Sequence, residues 1–145
     1  MAIPYHTRAN EIGALIAGVE GSGQVHCRVR TAKNWKDYIA RFTDASKAVN
    51  AWQVSRKAAA GLRDEKWVET WSLIKLASVI DADESELAFQ QNVDDVARML
   101  LGAELSFGVF PEGMSIEEVY EGMFGDVLCH VGRCTLTVAF YHHQL

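Results

Sequence analysis

One stretch of the chain repeats apolar residues with the spacing of an α-helix, and it restricts the fold more than any other feature. Its apolar members lie at positions i, i+4, i+7, i+8 and i+11 and are Phe89, Val93, Val96, Ala97 and Leu100. Asp83 with Glu86 three residues later is typical of a helix start, and Gly102 is typical of a helix end. The sequence therefore predicts an amphipathic helix that needs an apolar layer to pack against.

Four other segments predict the β-strands of that layer. Val25, Cys27 and Val29 alternate with polar residues, and residues 49–56 also alternate, which is the period of a strand. Residues 67–80 are rich in β-branched and aromatic side chains, and residues 128–141 alternate again. We expect the second and third strands to form a hairpin with a protruding connection.

The rest of the chain supplies shorter elements. A first helix is predicted from an apolar face made of Ile12, Leu15, Ile16 and Val19. Thr7 is a candidate N-cap for it. Residues 31–48 are predicted to form a long polar and aromatic excursion with at most a short helix, residues 105–110 a short strand, and residues 115–124 a short helix capped by Ser115. The predicted fold class is α+β: one domain over residues 1–145, with a mostly antiparallel sheet of about four strands, helices on one face, and a protruding long loop or hairpin.

Composition narrows the class of protein. A chain of 145 residues that is 49% hydrophobic and 23% charged can bury one core without a disulfide framework. The formal net charge of −5 argues against a general nucleic-acid binder, which normally shows a basic excess. No apolar run is long enough for a transmembrane helix, and the first 20 residues do not have the pattern of a secretory signal. Three cysteines predict reduced thiols in a cytosolic product.

Metal and catalytic chemistry have only weak support in the sequence. The candidate ligands are His26, Cys27, Cys129, His130, Cys134, His142 and His143. They contain no C-x-x-C pair, and Cys129 and Cys134 should point to opposite faces of one strand unless Gly132 marks a bulge. Neighbouring Cys129 and His130 side chains diverge in a strand, and acidic clusters near helix starts have a dipole explanation. We therefore predict no catalytic residue, no metal and no cofactor.

A segment that mixes basic and aromatic residues is the best candidate for binding. Such a mixture suits single-stranded nucleic acid, but it also suits protein contacts, and the acidic balance of the chain favours protein. The predicted subunit or partner interface consists of Lys33, Trp35, Lys36, Tyr38, Arg41 and Phe42, with Arg56 and Arg63. Trp52 and Trp71 fit a core position as well as a contact, and Arg56 fits an ordinary surface charge as well as an ion pair with a neighbour.

The order of these elements resembles that of bacteriophage tail-terminator and tail-completion proteins. Three motifs carry the resemblance: Ala51-Trp52-Gln53-Val54-Ser55-Arg56, the strand with Trp67 and Trp71, and the helix opening over residues 81–96. The resemblance covers nearly the whole chain. The connector at residues 58–60 and the segment 107–125 depart from the pattern.

The resemblance implies a structural virion protein and not an enzyme. Such proteins form a ring, commonly of six copies, on the head-proximal end of the tail tube, in the virion and earlier in the host cytoplasm. The implied partners are further copies of the chain, the tail-tube protein and the head connector or neck protein. DNA would pass through the lumen without sequence-specific binding, no membrane is implied, and an acidic wall would repel the phosphate backbone.

Three other functions stay open from the sequence. The first is another head–tail joining or tail-tube component, which would differ in its mode of assembly. The second is a small α+β enzyme with a pocket that the motifs do not reveal. The third is a regulatory binding module with one defined partner.

Overall fold

In the described part of the chain, five strands form one open sheet, and three helices pack on its two faces. The computed structural model describes residues 4–27, 35–44, 48–61, 63, 66–80, 82–105, 109 and 111–141. The helices are α1 (Tyr5–Ala17), α2 (Trp35–Phe42) and α3 (Ala82–Gly102). The strands are β1 (Gln24–Cys27), β2 (Asn50–Gly61), β3 (Lys66–Ser78), β4 (Pro111–Phe124) and β5 (Val127–Tyr141).

The sheet is mixed, with strand order β1-β2-β3-β5-β4. β1 runs parallel to β2, whereas the β2–β3, β3–β5 and β4–β5 pairs are antiparallel. A parallel pair needs a crossover connection, and the segment that includes α2 joins β1 to β2. The predicted α+β class is confirmed, but the prediction of about four mostly antiparallel strands is corrected to five strands in a mixed sheet.

Three local predictions were wrong or incomplete. Residues 115–124, predicted as a helix, lie in β4, which pairs with β5 along its whole length. In place of the predicted strand at 105–110, the described residues show a single bridge between Leu105 and Val109. The predicted connector after residue 56 continues β2 to Gly61, past a register shift between Arg56 and Ala58. Val29 and most of the predicted excursion outside α2 lie beyond the described residues.

The main core lies between the sheet and the pair α1 and α3. It is formed by buried residues of those helices and of β2, β3 and β5, including Ile12, Trp52, Trp71, Phe89 and Leu136. Trp52 and Trp71 are fully buried, so both are core residues. Gly132 of β5 lies under α3, where an added Cβ would come 3.0 Å from Cζ of Phe89.

A second, smaller core lies on the opposite face, under α2. Its buried members are Phe42, Val49, Ala51, Leu76, Phe124, Cys129 and Val131. The prediction that all helices share one face is therefore wrong, since α2 packs on the other one. Cys129 belongs to this core and Cys134 to the main core, which confirms that the two thiols point to opposite faces. The bulge lies in β4 between Ile116 and Glu118, opposite Cys134 and Arg133, and Gly132 itself pairs regularly with Val119.

Candidate functional site

A buried carboxylate on β3 is held by two arginines. Glu69 is fully buried, and Arg8 donates to both of its oxygens, from Nε to Oε1 at 2.8 Å and from Nη2 to Oε2 at 2.7 Å. Arg56 donates to Oε2 at 2.9 Å. Burial alone would raise the pKa of Glu69, but the hydrogen bonds from Arg8 and Arg56 lower it overall. The arrangement fixes α1 and β2 to β3, so Arg56 pairs with an acid of its own chain.

A buried lysine fastens the loop between α1 and β1. The Nζ of Lys75 donates to the carbonyl oxygens of Gly21 at 3.0 Å and Ser22 at 3.1 Å, and to Oδ1 of Asn50 at 2.5 Å. These three bonds match the three donors of an ammonium group. No carboxylate is among these three acceptors, and burial lowers the pKa of Lys75 to about 7. The group is tied on every side, which suits a structural clamp.

Asn92 of α3 extends the same network. It accepts a hydrogen bond from Nε1 of Trp52 at 2.8 Å, and its own Nδ2 donates to the Glu20 carbonyl at 3.0 Å and to Oγ of Ser22 at 3.1 Å. Asn92 and Trp52 are both buried. The network therefore connects α3, β2, β3 and the α1–β1 loop, and it serves the fold.

A serine and a histidine meet at the start of α3. Oγ of Ser85 lies 2.9 Å from Nε2 of His130, and Nδ1 of His130 lies 4.0 Å from Oε1 of Glu121. The order of the groups is that of a nucleophile, a base and an orienting acid. However, the His130 ring is only 3% exposed and packs against Phe89, and the carboxylate is too distant for a hydrogen bond. The contact fits packing of α3 on β5 better than catalysis.

The candidate metal ligands are dispersed. Among the described residues no three His, Cys, Asp or Glu side chains are grouped closely enough to hold a metal ion, while His142 and His143 lie outside them. Burial raises the pKa of Cys129 to about 11 and that of Cys134 to about 12. Thiols with such pKa values are poor nucleophiles and poor metal ligands at neutral pH.

The predicted interface residues fall into two groups on α2. Lys36 and Arg41 are exposed, whereas Tyr38 is half-buried and Phe42 is fully buried in the second core. Tyr38 accepts a hydrogen bond from Gln53 of β2 and lies against Phe42. The aromatic side chains thus attach α2 to the sheet, and the cations face solvent. Trp35 is the first residue of α2, and Lys33 lies outside the described residues.

The two remaining predicted interface residues lie along the β2–β3 hairpin. Arg56 is partly exposed beside Glu69, with its guanidinium 4.9 Å from the centre of the Tyr5 ring. Arg63 is exposed in the turn between the strands. The structure does not bring the six predicted residues whose side chains it describes into one patch, and the role of the predicted set in binding stays a prediction.

The outer edge of β4 is a surface that sequence reasoning missed. β4 is the last strand of the sheet, and no described strand pairs with its outer side. Its exposed apolar side chains are Ile116, Val119, Tyr120 and Met123. Its four glutamates, Glu112, Glu117, Glu118 and Glu121, are exposed as well. A long open edge with apolar side chains is a site for pairing with another chain.

Charge is distributed unevenly around this edge. Residues 81–126, which contain α3 and β4, hold 12 of the 19 acidic residues of the chain and one of its 14 lysines and arginines. The segment has a formal charge of −11, although the whole chain has −5. α3 packs against β4, so the described carboxylates of these two elements lie in neighbouring parts of the molecule, which we call the acidic side. Counting charge by segment would have detected it.

No protein-family model matches the chain, and no curated protein matches it. None of the described helices is long and apolar enough to cross a bilayer.

Proposed function

We propose that this chain is a structural virion protein that closes into a ring on the end of a phage tail tube, stops tube polymerisation and forms the joint to the head connector. The observation that carries the proposal is the open edge of β4. This edge strand is 14 residues long, no described strand pairs with its outer side, and four of its apolar side chains are exposed. An edge of this length is suited to a neighbouring subunit.

The buried polar groups support an assembly role as well. Glu69 is held by Arg8 and Arg56, and Lys75 is held by three oxygen acceptors, so these groups hold the elements of the fold together. Pairing of β3 with β5 joins the β2–β3 and β4–β5 hairpins, so these four strands form one continuous antiparallel frame. A ring that bears load during tail assembly needs such a frame.

The proposed partners are further copies of the chain, the tail-tube protein and the head connector, with location at the head-proximal end of the tail. A related role, as a tail-tube subunit, would use the same edge but without closure. The two differ in their products, because a tube subunit stacks into long tubes and a terminator stops at one ring.

The test is to measure the native mass of the purified chain, to image it by negative-stain electron microscopy, and to add it to purified tail tubes. We expect a closed ring, near six times 16.1 kDa, that binds tube ends and blocks their growth. Long tubes from the chain alone would replace the terminator with a tube subunit. Tube ends that stay bare and continue to grow would refute both roles.

A further inference from the structure

α3 leaves two apolar side chains of β4 uncovered beside it. Val119 pairs with Gly132 of β5, and Met123 pairs with Leu128. An added Cβ at Gly132 would meet the Phe89 ring of α3, so this is the face of the sheet on which α3 lies. Val119 is nevertheless 40% exposed and Met123 65%. The helix therefore covers β4 only in part, and these side chains remain available to another chain.

A carboxylate lies between these two side chains. Glu121 pairs with His130, whose ring packs against Phe89, so Glu121 is on the same face of the sheet. It is exposed, and its Oε1 lies 4.0 Å from Nδ1 of His130, which is too far for a hydrogen bond. Along this face the order of side chains is therefore apolar, acidic, apolar. We call Val119, Glu121 and Met123 the β4 strip.

α3 adds negative charge beside Glu121. Ser85 of α3 is hydrogen-bonded to His130, which places the first turns of the helix near the residue that pairs with Glu121. Exposed Glu86 follows Ser85 directly. α3 has five acidic residues and β4 has four, and the only lysine or arginine in these two elements is Arg98. A partner at the β4 strip is therefore expected to be basic.

The other glutamates of β4 contact side chains of their own chain. The described contacts are Glu112 with Lys66 at 4.0 Å, Glu117 with Thr135 at 2.6 Å and Glu118 with Arg133 at 3.9 Å. Glu118 pairs with Arg133 on the face of the sheet away from α3. The contact with a partner is therefore assigned to Glu121 alone among the glutamates of β4.

The backbone of β4 is regular along the strip. Residues 118–124 pair with residues 133–127 without a shift, and no described strand pairs with the outer side of β4. An extended segment can add to such an edge, with main-chain bonds for affinity and side chains for specificity. Side chains directly opposite each other on one face interact, so the complement of the strip is a strand with the order apolar, basic, apolar.

We infer that the β4 strip binds an extended segment of a different protein, in which a lysine or arginine lies between two apolar residues at i, i+2 and i+4. This order is the same in both chain directions, so it fits a parallel or an antiparallel strand. The inference rests on the proposed assembly role, whose partners include proteins other than this chain.

The sequence of the chain argues against a second copy as the occupant. The order apolar, basic, apolar occurs around four of its cations, and in each case at least one of the apolar residues is buried in a core. The cations are Lys47, Arg56, Lys75 and Arg98, and the buried neighbours are Val49, Val54, Leu73, Val96 and Leu100. A folded copy therefore has no segment of this order to offer.

Synthetic peptides with blocked ends test the assignment. The probe is Thr-Val-Thr-Lys-Thr-Val-Thr, and the control is Thr-Val-Lys-Thr-Thr-Val-Thr, which has the same composition but carries its lysine on the other face of the strand. Binding to the full chain is measured by NMR titration in dilute solution at low salt. We expect the probe to bind about fivefold more tightly, which is the upper end of one cross-strand pair. Amide hydrogen exchange should slow in residues 118–124.

A charge exchange locates the contact. Glu121→Lys should weaken binding of the probe about tenfold and should favour the peptide in which glutamate replaces the lysine. The control is Glu20→Lys, the same change at an exposed residue after α1, which should bind the probe as the unmodified chain does. Circular dichroism first shows that both variants are folded. If Glu121→Lys does not fold, Glu121→Gln replaces it and should bind probe and control peptide equally.

Three results would overturn the inference: equal affinity of the unmodified chain for the two peptides, equal weakening by the two lysine variants, or unchanged exchange in residues 118–124. The result is separable from the proposed function. If the probe binds as expected but tube ends stay bare, the strip stands and the terminator role fails. If the chain caps tubes but does not distinguish the peptides, the role stands and this assignment is wrong.

Discussion

Lys75 should make the stability of the protein rise with pH above neutrality. Burial lowers its pKa from 10.5 to about 7, so between these values the unfolded chain binds a proton that the folded chain does not. Removing the Lys75 proton costs more free energy in the unfolded chain than in the folded chain. The free energy of unfolding therefore increases as the pH rises. Below the folded pKa both states are protonated, and the contribution of this group no longer changes with pH.

The size of the effect follows from the two pKa values. Each unit of pH is worth at most about 1.4 kcal/mol, and the slope is about half of that at the folded pKa. Between pH 7 and pH 9 the free energy of unfolding should rise by about 2 kcal/mol from this group alone. Above that range the buried thiols act in the opposite direction, because their raised pKa values make the folded state bind more protons.

Urea denaturation at a series of pH values measures the effect. The Lys75→Met variant keeps the length of the side chain and lacks the titrating group, so subtracting its curve removes every other titration. Lys57→Met, at an exposed lysine of β2, is the matched control and should keep the full slope. A difference between wild type and Lys75→Met that stays constant from pH 6 to pH 9 would refute the reasoning. The Nζ chemical shift of Lys75 in a pH titration gives an independent value if the variant does not fold.

Three further predictions concern the core. Glu69→Gln should lower the free energy of unfolding by about 3 kcal/mol because it leaves buried arginine charge without its partner, whereas exposed Glu112→Gln should change it little. Gly132→Ala should cost about 1–3 kcal/mol, since its Cβ would meet a phenylalanine ring of α3, and Gly113→Ala, with open space around it, should be tolerated. Cys27, which is only half-buried, should be alkylated before the other two cysteines at mildly alkaline pH.

Each of these has a contrary result. Equal loss of stability in Glu69→Gln and Glu112→Gln, measured in urea, would mean that the buried pair is no stronger than a surface pair. Equal melting temperatures of the two alanine variants would mean that α3 does not press on β5 at Gly132. The labelling is followed by mass spectrometry. If all three thiols are labelled at the same rate, the cores open faster than the reagent reacts.

The elements with an unbroken period could be predicted from the sequence. The helical face from Phe89 to Leu100 and the alternation in residues 128–141 each correspond to one observed element, α3 and β5. Residues 67–80 correspond to β3 to within two residues at the end. In these segments local preference and burial agree, so the pattern alone was sufficient.

β4 shows why the rest could not be predicted. Its exposed apolar residues Ile116, Val119, Tyr120 and Met123 have the spacing i, i+3, i+4 and i+7, which is the pattern of a helix. The bulge accounts for the step from Ile116 to Val119, which pair with Cys134 and Gly132, whereas Tyr120 pairs with Val131 on the opposite face and is exposed there. Whether the extra residue at the bulge is accommodated depends on how β4 pairs with β5. That pairing cannot be inferred from the sequence of β4 alone. Reading this segment as a helix also hid the candidate surface.

The candidate site, like the fold, could be predicted from the sequence only in part. The mixture of cations and aromatic residues in α2 was visible, but pairing of Tyr38 with Gln53 depends on a strand that follows later in the chain. The same holds for Arg56, whose partner Glu69 comes from the adjacent strand. Contacts between elements decide which of these side chains remain available to a neighbour.

The bulge in β4 also bears on the solubility of the chain. A long, straight edge strand is a template for fibrils, in which identical strands stack in register about 4.8 Å apart. Here the register shift between Ile116 and Glu118 interrupts the straight course of the edge. In-register stacking would also align every Glu118 with its copies, a column of like charge. The bulge and the glutamates thus disfavour in-register stacking of the exposed strand.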